Sequence, residues 1–211
     1  MHQELILMLL ADARLPVAGH TQSGGLEPAL RAGLTDVPSY IATRLNTVTK
    51  VEAATAVVAV HSLRQGLALA PVELAWAART PSPAMRATSR QLARGLLRLG
   101  NRLWQLPVLQ DPSRGVALGA LAFAAGLAPT SLARLIGYDD TQTVAAAALK
   151  LVPLDPAEAT EWVVRAMPLI QAMASEVSGL TAAGEIPASG APQIEAWAEA
   201  HTTARRRLFS A

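Results

Sequence analysis

The run Thr35-Asp36-Val37-Pro38-Ser39-Tyr40-Ile41-Ala42-Thr43-Arg44-Leu45-Asn46-Thr47-Val48-Thr49-Lys50-Val51-Glu52-Ala53-Ala54-Thr55-Ala56-Val57-Val58 sets the class of this protein. A hydroxyl and an acid stand just ahead of proline, a helix start signal. Ile41, Leu45, Val48, Val51, Thr55 and Val58 then recur at intervals of three or four, which lines one face of an α-helix. The spacing predicts one long helix to about Gln65, with Glu52 projecting into its apolar stripe. Alanine supplies much of the apolar content, whereas aromatics are only 4%, so closely packed helices are favoured over sheets. The expected fold is all-α: a compact single-domain bundle of about nine or ten helices over residues 1–211.

The segments on either side carry the same signature. A short apolar helix is expected before Pro16 and Gly19, a shorter piece follows Pro71, and apolar segments run from about Gly115 to Gly126 and from Pro129 to Leu151. Prolines 81 and 83 precede a helix from about Ala84 to Leu106. Asp155-Pro156 with Glu158 marks another start. Residues 178–192, rich in glycine, alanine and proline, read as a flexible connector, and residues 193–211 as a terminal helix and tail that docks on a partner. Hydrophobic residues make up 51% of the chain and charged residues 16%, which places it well away from disorder. No uncharged stretch offers the roughly 20 strongly apolar residues that cross a bilayer, and the first residues lack a secretory pattern, so a cytoplasmic protein without a membrane partner is expected.

The net charge of +2 argues for no polyanionic partner, and the absence of cysteine excludes disulfides, thiolate metal sites and a cysteine nucleophile. Gly19 and Gly24 have the spacing of a phosphate loop, but Gly25 and Leu26 stand where the lysine and hydroxyl are required. Positive backbone angles or close helix approach is the simpler reading of these glycines. Ser23 lies near His20 and Glu27, yet neighbours in sequence rarely converge as nucleophile, base and orienter. A small hydrolase using Ser23 stays a competing class. Of the histidines 2, 20, 61 and 201, none is paired at the i, i+4 spacing of a helical metal clamp. His20 and His201 are the weak metal candidates, and no permanent metal or cofactor is expected.

Two features suit partners. Arg86, Arg90, Arg94, Arg98 and Arg102 recur every fourth position, with no acid between Leu74 and Gln110. The stripe reads either as a solvated face or as a surface for an acidic protein; interleaved aromatics and lysines are lacking, and a helical nucleic-acid-binding regulator is the alternative. In the last helix Ile194, Trp197, His201, Ala204 and Leu208 share one apolar face, which packs on its own domain or docks elsewhere.

Read together, these segments resemble the urease accessory proteins of the F type. Leu15-Pro16-Val17-Ala18-Gly19-His20-Thr21-Gln22-Ser23-Gly24-Gly25-Leu26-Glu27 is similar to that family's Leu-Pro-x-Gly-Gly-Phe-x-x-Ser-x-Gly-Leu-Glu, with histidine where an aromatic stands. Ala59-Val60-His61, Thr88 to Leu97, Gly115-Val116-Ala117-Leu118-Gly119, Ala148-Leu149-Lys150-Leu151-Val152-Pro153-Leu154 and the terminal Arg207-Leu208-Phe209-Ser210 after His201 resemble further family segments in the right order. The resemblance implies a non-enzymatic homodimeric scaffold that joins the D-type (or H-type) accessory protein to the accessory GTPase of the G type. That assembly would deliver nickel to apo-urease in a GTP-dependent step, handling the metal transiently. The partner-binding candidates are Pro16, Gly19, His20, Ser23, Gly25, Leu26 and Glu27 in the loop, Arg90, Arg94 and Arg98 in the stripe, and Trp197, His201, Arg207, Leu208 and Phe209 at the end.

Overall fold

The computed structural model describes residues 3–17 and 19–210, with the backbone but not the side chain of His20. Among the described residues there is no strand, and ten α-helices follow in order. They are α1 (Gln3–Leu10), α2 (Leu26–Arg31), α3 (Val37–Asn46), α4 (Val48–Arg64), α5 (Ala70–Ala78), α6 (Pro83–Leu103), α7 (Arg114–Ala125), α8 (Pro129–Leu151), α9 (Pro156–Val177) and α10 (Pro192–Thr202). Single 3₁₀ turns sit at Gly19–Thr21 and Ala183–Glu185. The all-α expectation holds. No helix among the described residues is long and apolar enough to cross a membrane.

Helix α4 is the axle. Its residues from Ala53 to Val60 are all buried, and α3, α5, α7, α8 and α9 pack around it. Small residues set how close the neighbours come. A Cβ on Gly119 would lie 2.7 Å from the Ala56 carbonyl oxygen, and one on Gly115 would lie 3.0 Å from that of Glu52, so α7 rests on the α4 backbone. Alanine-rich helices bury their surface by such close approach, which explains a core with so few aromatics.

The single long helix expected from Asp36 to Gln65 is instead two. Its cap is as read: the Asp36 carboxylate accepts from the Ser39 N–H at 2.9 Å. But the chain turns at Thr47, with φ −126° and ψ −100°. Here Asn46 Nδ2 donates to the Ala42 carbonyl at 2.9 Å and Thr47 Oγ1 to that of Thr43 at 2.6 Å. Short polar side chains that bond their own backbone compete with the helix ladder, and two in succession end it. The break lets Arg44 of α3 and Thr49 of α4 reach the same carboxylate on α8, Asp140.

Residues 178–192 run along the body of the protein. Arg79 Nε donates to the Ile186 carbonyl at 2.6 Å, Ile186 is buried, and the Glu185 carboxylate accepts from the N–H groups of Thr181 and Ala182. The Glu199 carboxylate then fastens α10 to the start of α6, accepting from the Ser82 hydroxyl and from the Ala84 N–H at 2.9 Å.

Candidate partner-binding surface

The glycine loop takes its shape from backbone angles. Gly24 and Gly25 have φ of +59° and +77°, where a side chain is strained. A Cβ on Gly24 would meet Val144 at 2.9 Å and one on Gly25 the Tyr40 hydroxyl at 2.8 Å. That hydroxyl donates to the Gly24 carbonyl at 2.8 Å. These two glycines thus serve positive angles and close approach. Gly19 differs: a Cβ there meets nothing within 4 Å. Pro16 is exposed, Ser23 is wholly buried with its Oγ facing the Glu27 N–H, and Leu26 is buried in the core. The side chain of His20, a candidate ligand and partner contact, lies outside the described residues, as does His2.

Glu27 joins this loop to the far end of the chain. Its carboxylate, 2% exposed, accepts from the backbone N–H groups of Leu208 and Phe209, both at 2.9 Å, and pairs with Arg31 one turn along α2. Although burial works against it, those two donors and Arg31 hold the Glu27 carboxyl below its ordinary value. The Ser210 N–H donates to the Thr21 carbonyl at 2.8 Å, and His201 Nε2 lies 3.3 Å from the Phe209 carbonyl oxygen. Lys150 Nζ sits 5.4 Å over the Phe209 ring.

The terminal helix therefore packs on its own domain, with Ile194 and His201 buried and Trp197 half-buried against Tyr40. The apolar face read out to Leu208 stops short, because α10 ends at Thr202. Past that point the helical period no longer applies: Leu208 is 61% exposed, and Phe209 turns inward in its place. Arg207 is exposed beside Leu208. Of the sequence candidates, the structure brings together Glu27, His201, Leu208 and Phe209.

The arginines of α6 form a separate face. Arg86 donates to the carbonyls of Thr80 and Pro81. Arg90 lies over the Trp76 ring, and both it and Arg94 reach Asp111. Arg98 and Arg102 are exposed and make no ion pair among the described residues. The stripe is thus partly a self-paired face and partly an open one.

Sequence reasoning missed a buried charge network between α3, α4, α7 and α8. Arg44 grips Asp140, which also accepts from Thr49, while Arg114 bridges Glu52 and Asp139. Burial raises the Glu52 and Asp139 carboxyls despite Arg114. Against the same burial, Arg44, Thr49 and Arg114 hold Asp140 low. The signal was available: Asp139-Asp140 are the only acids in a helix otherwise apolar and neutral apart from Arg134 and Lys150. Such acids need cationic partners when buried. Among the described residues no group of three or more His, Asp or Glu side chains is placed to hold a metal ion.

These features define an all-helical protein whose loop and terminus are knit into one surface, with a basic face apart from it. The UreF family profile matches residues 33–167. A urease accessory protein UreF of Mycolicibacterium vanbaalenii is 37% identical over 97% of both chains, and one of Mycobacterium sp. strain JLS is 35% identical over the same shares. That of Mycobacterium tuberculosis strain H37Rv is 34% identical, again over 97% of each chain. The chain belongs to the UreF family of urease accessory proteins.

Proposed function

We propose that this chain is a non-enzymatic adaptor of urease maturation in the cytoplasm. As a homodimer, it bridges the D/H-type accessory protein and the accessory GTPase so that nickel passes to apo-urease in a GTP-dependent step. Nickel is cargo in this reading, handled transiently by the assembly. The D/H-type partner docks on the surface shared by the glycine loop and the tail, and the GTPase is received by the arginine face or the dimer cleft.

The observation that carries the reading is the seam at Glu27. Two segments 181 residues apart share one carboxylate, so they form a single surface with Arg207 and Leu208 standing out from it. Binding by shape, with buried anchors and exposed contacts, needs such a preordered patch and no reactive centre. The nucleic-acid alternative has less support, since Arg86, Arg90 and Arg94 are occupied by the protein itself.

The test is co-precipitation of the D/H-type protein by the full chain and by R207E/L208E, whose altered side chains are exposed. Capture should drop about tenfold or more while the melting temperature is unchanged. Undiminished capture would reject this docking surface.

A further inference from the structure

A cavity of about 340 Å³ is bounded by α4, α6, α8 and α10 and by the glycine loop. Met85, Leu92 and Leu96 of α6 and Leu135 of α8 give it aliphatic walls, and the buried charge network gives it a polar floor. The pieces touch one another. Ser89 of α6 accepts from the Arg114 N–H at 2.9 Å, so the charged floor lies directly under the α6 wall. On the loop side, a Cβ on Gly24 would lie 3.7 Å from the Arg44 guanidinium carbon.

The floor is short of donors. Arg44 is spent on Asp140, whose two oxygens are both taken. Arg114 gives one nitrogen to Glu52 Oε2 and the other to Asp139 Oδ2, each at 2.5 Å, which sets the two carboxylates side by side. Their remaining oxygens, Glu52 Oε1 and Asp139 Oδ1, meet no donor among the described residues. Three carboxylates thus face two guanidinium groups, and one negative charge is unmatched. The same shortage shows in the Glu52 and Asp139 carboxyls, which burial raises although Arg114 opposes it. His201, on another wall of this cavity, repeats the pattern. It is 4% exposed, and its Nε2 lies 3.3 Å from the Phe209 carbonyl oxygen, which only accepts. Nε2 therefore carries the ring proton, and Nδ1 is left a buried acceptor without a donor.

From this surplus of acceptors we infer that the cavity is a binding site for one organic cation, a guanidinium or primary ammonium group on an unbranched aliphatic stem. The head donates to Glu52 Oε1 and Asp139 Oδ1, and the stem lies along Leu135, one turn before Asp139, and along Leu92 opposite. A monocation completes the charge balance of the floor. An anion finds no free guanidinium there, and a metal ion finds no group of three or more His, Asp or Glu placed to hold it among the described residues. A few placed polar groups in an otherwise apolar hollow are the usual make-up of a small-molecule site. The inference stands apart from the docking of either accessory protein.

The probe is n-butylguanidinium, titrated into the full chain and followed by amide NMR shifts, with n-pentanoate and nickel ion alone as comparisons. D139N keeps the shape of the floor and removes one charge; T88L leaves the charges and fills the cavity from the α6 side, next to Ser89. Melting curves confirm folding. Saturable binding of the guanidinium is expected, with affinity lower by about tenfold or more in each variant, and none of pentanoate. The site is refuted if the unaltered chain does not bind the guanidinium, if both variants bind as well as the parent, or if pentanoate binds equally. Nickel binding that D139N abolishes and the guanidinium does not displace would replace it by a metal site. Adding the probe during capture of the D/H-type protein then assigns the source: reduced capture identifies a basic side chain of that partner as the guest, and unchanged capture a free amine.

Discussion

Glu27 gathers three donors about one buried carboxylate, and two of them are main-chain groups of the tail. A side chain so placed has a linkage to pH whose sign is fixed. Its folded proton affinity lies below the ordinary 4.5, so the stabilisation is complete above that value and drains away as pH falls through the lower folded value. In E27Q the amide supplies one acceptor atom where the carboxylate had two, and the charge facing Arg31 is lost. Stability at neutral pH should fall by about 1–3 kcal/mol, with faster hydrogen exchange at the Leu208 and Phe209 amides. The gap between variant and parent should narrow in acid. A gap independent of pH, or amides that exchange at the parental rate, would show that the tail is held by Phe209 packing alone.

Arg114 does for the helices what Glu27 does for the termini. It begins α7, yet its guanidinium pairs with Glu52 of α4 and Asp139 of α8, so three elements share one cation. Both carboxyls are raised by burial, and the folded state therefore holds protons that the unfolded chain releases; stability declines as pH rises through their folded values. Replacing the cation by an apolar side chain of similar length, R114M, leaves a largely buried Glu52 and a part-exposed Asp139 without their partner. Because water screens Asp139, the loss should reach about 2–3 kcal/mol near neutrality and shrink on acidification, as both groups become neutral, in denaturant titrations at several pH values. Helix periodicity, the Asp155 cap and the proline starts were legible because each is decided by neighbours within a turn or two. The break at Thr47 is local too, but the apolar stripe runs on across Asn46 and Thr47 and masks it. What the chain order hides is pairing at long range: nothing local to Glu27 announces Leu208, and Leu208 and Phe209 exchange roles because the helix stops at Thr202. The arginine stripe was visible as charge, but its division between Asp111 and open solvent depends on a loop that folds back.

At the scale of the whole molecule, the loop-and-tail surface and the arginine helix meet through α10, whose Glu199 caps the start of α6, and through Val17 of the loop, whose backbone lies against Gly95 of α6. A bridge has to hold two partners together, and the economical design keeps their sites energetically separate while the frame between them stays rigid. Titrating the GTPase in the presence of saturating D/H-type protein should then give the affinity measured without it, within about twofold. R207E/L208E combined with R98E/R102E should show losses that add, within about 0.5 kcal/mol. Coupling is reciprocal, so either partner can be varied and the same factor must emerge. Strong cooperativity would point to α10 or the Val17–Gly95 contact as the transmitter, and its loss in E199A, which removes the cap, would assign it to α10. Mutual exclusion would defeat the bridge itself, since a scaffold that releases one partner on taking up the other cannot hold both for transfer.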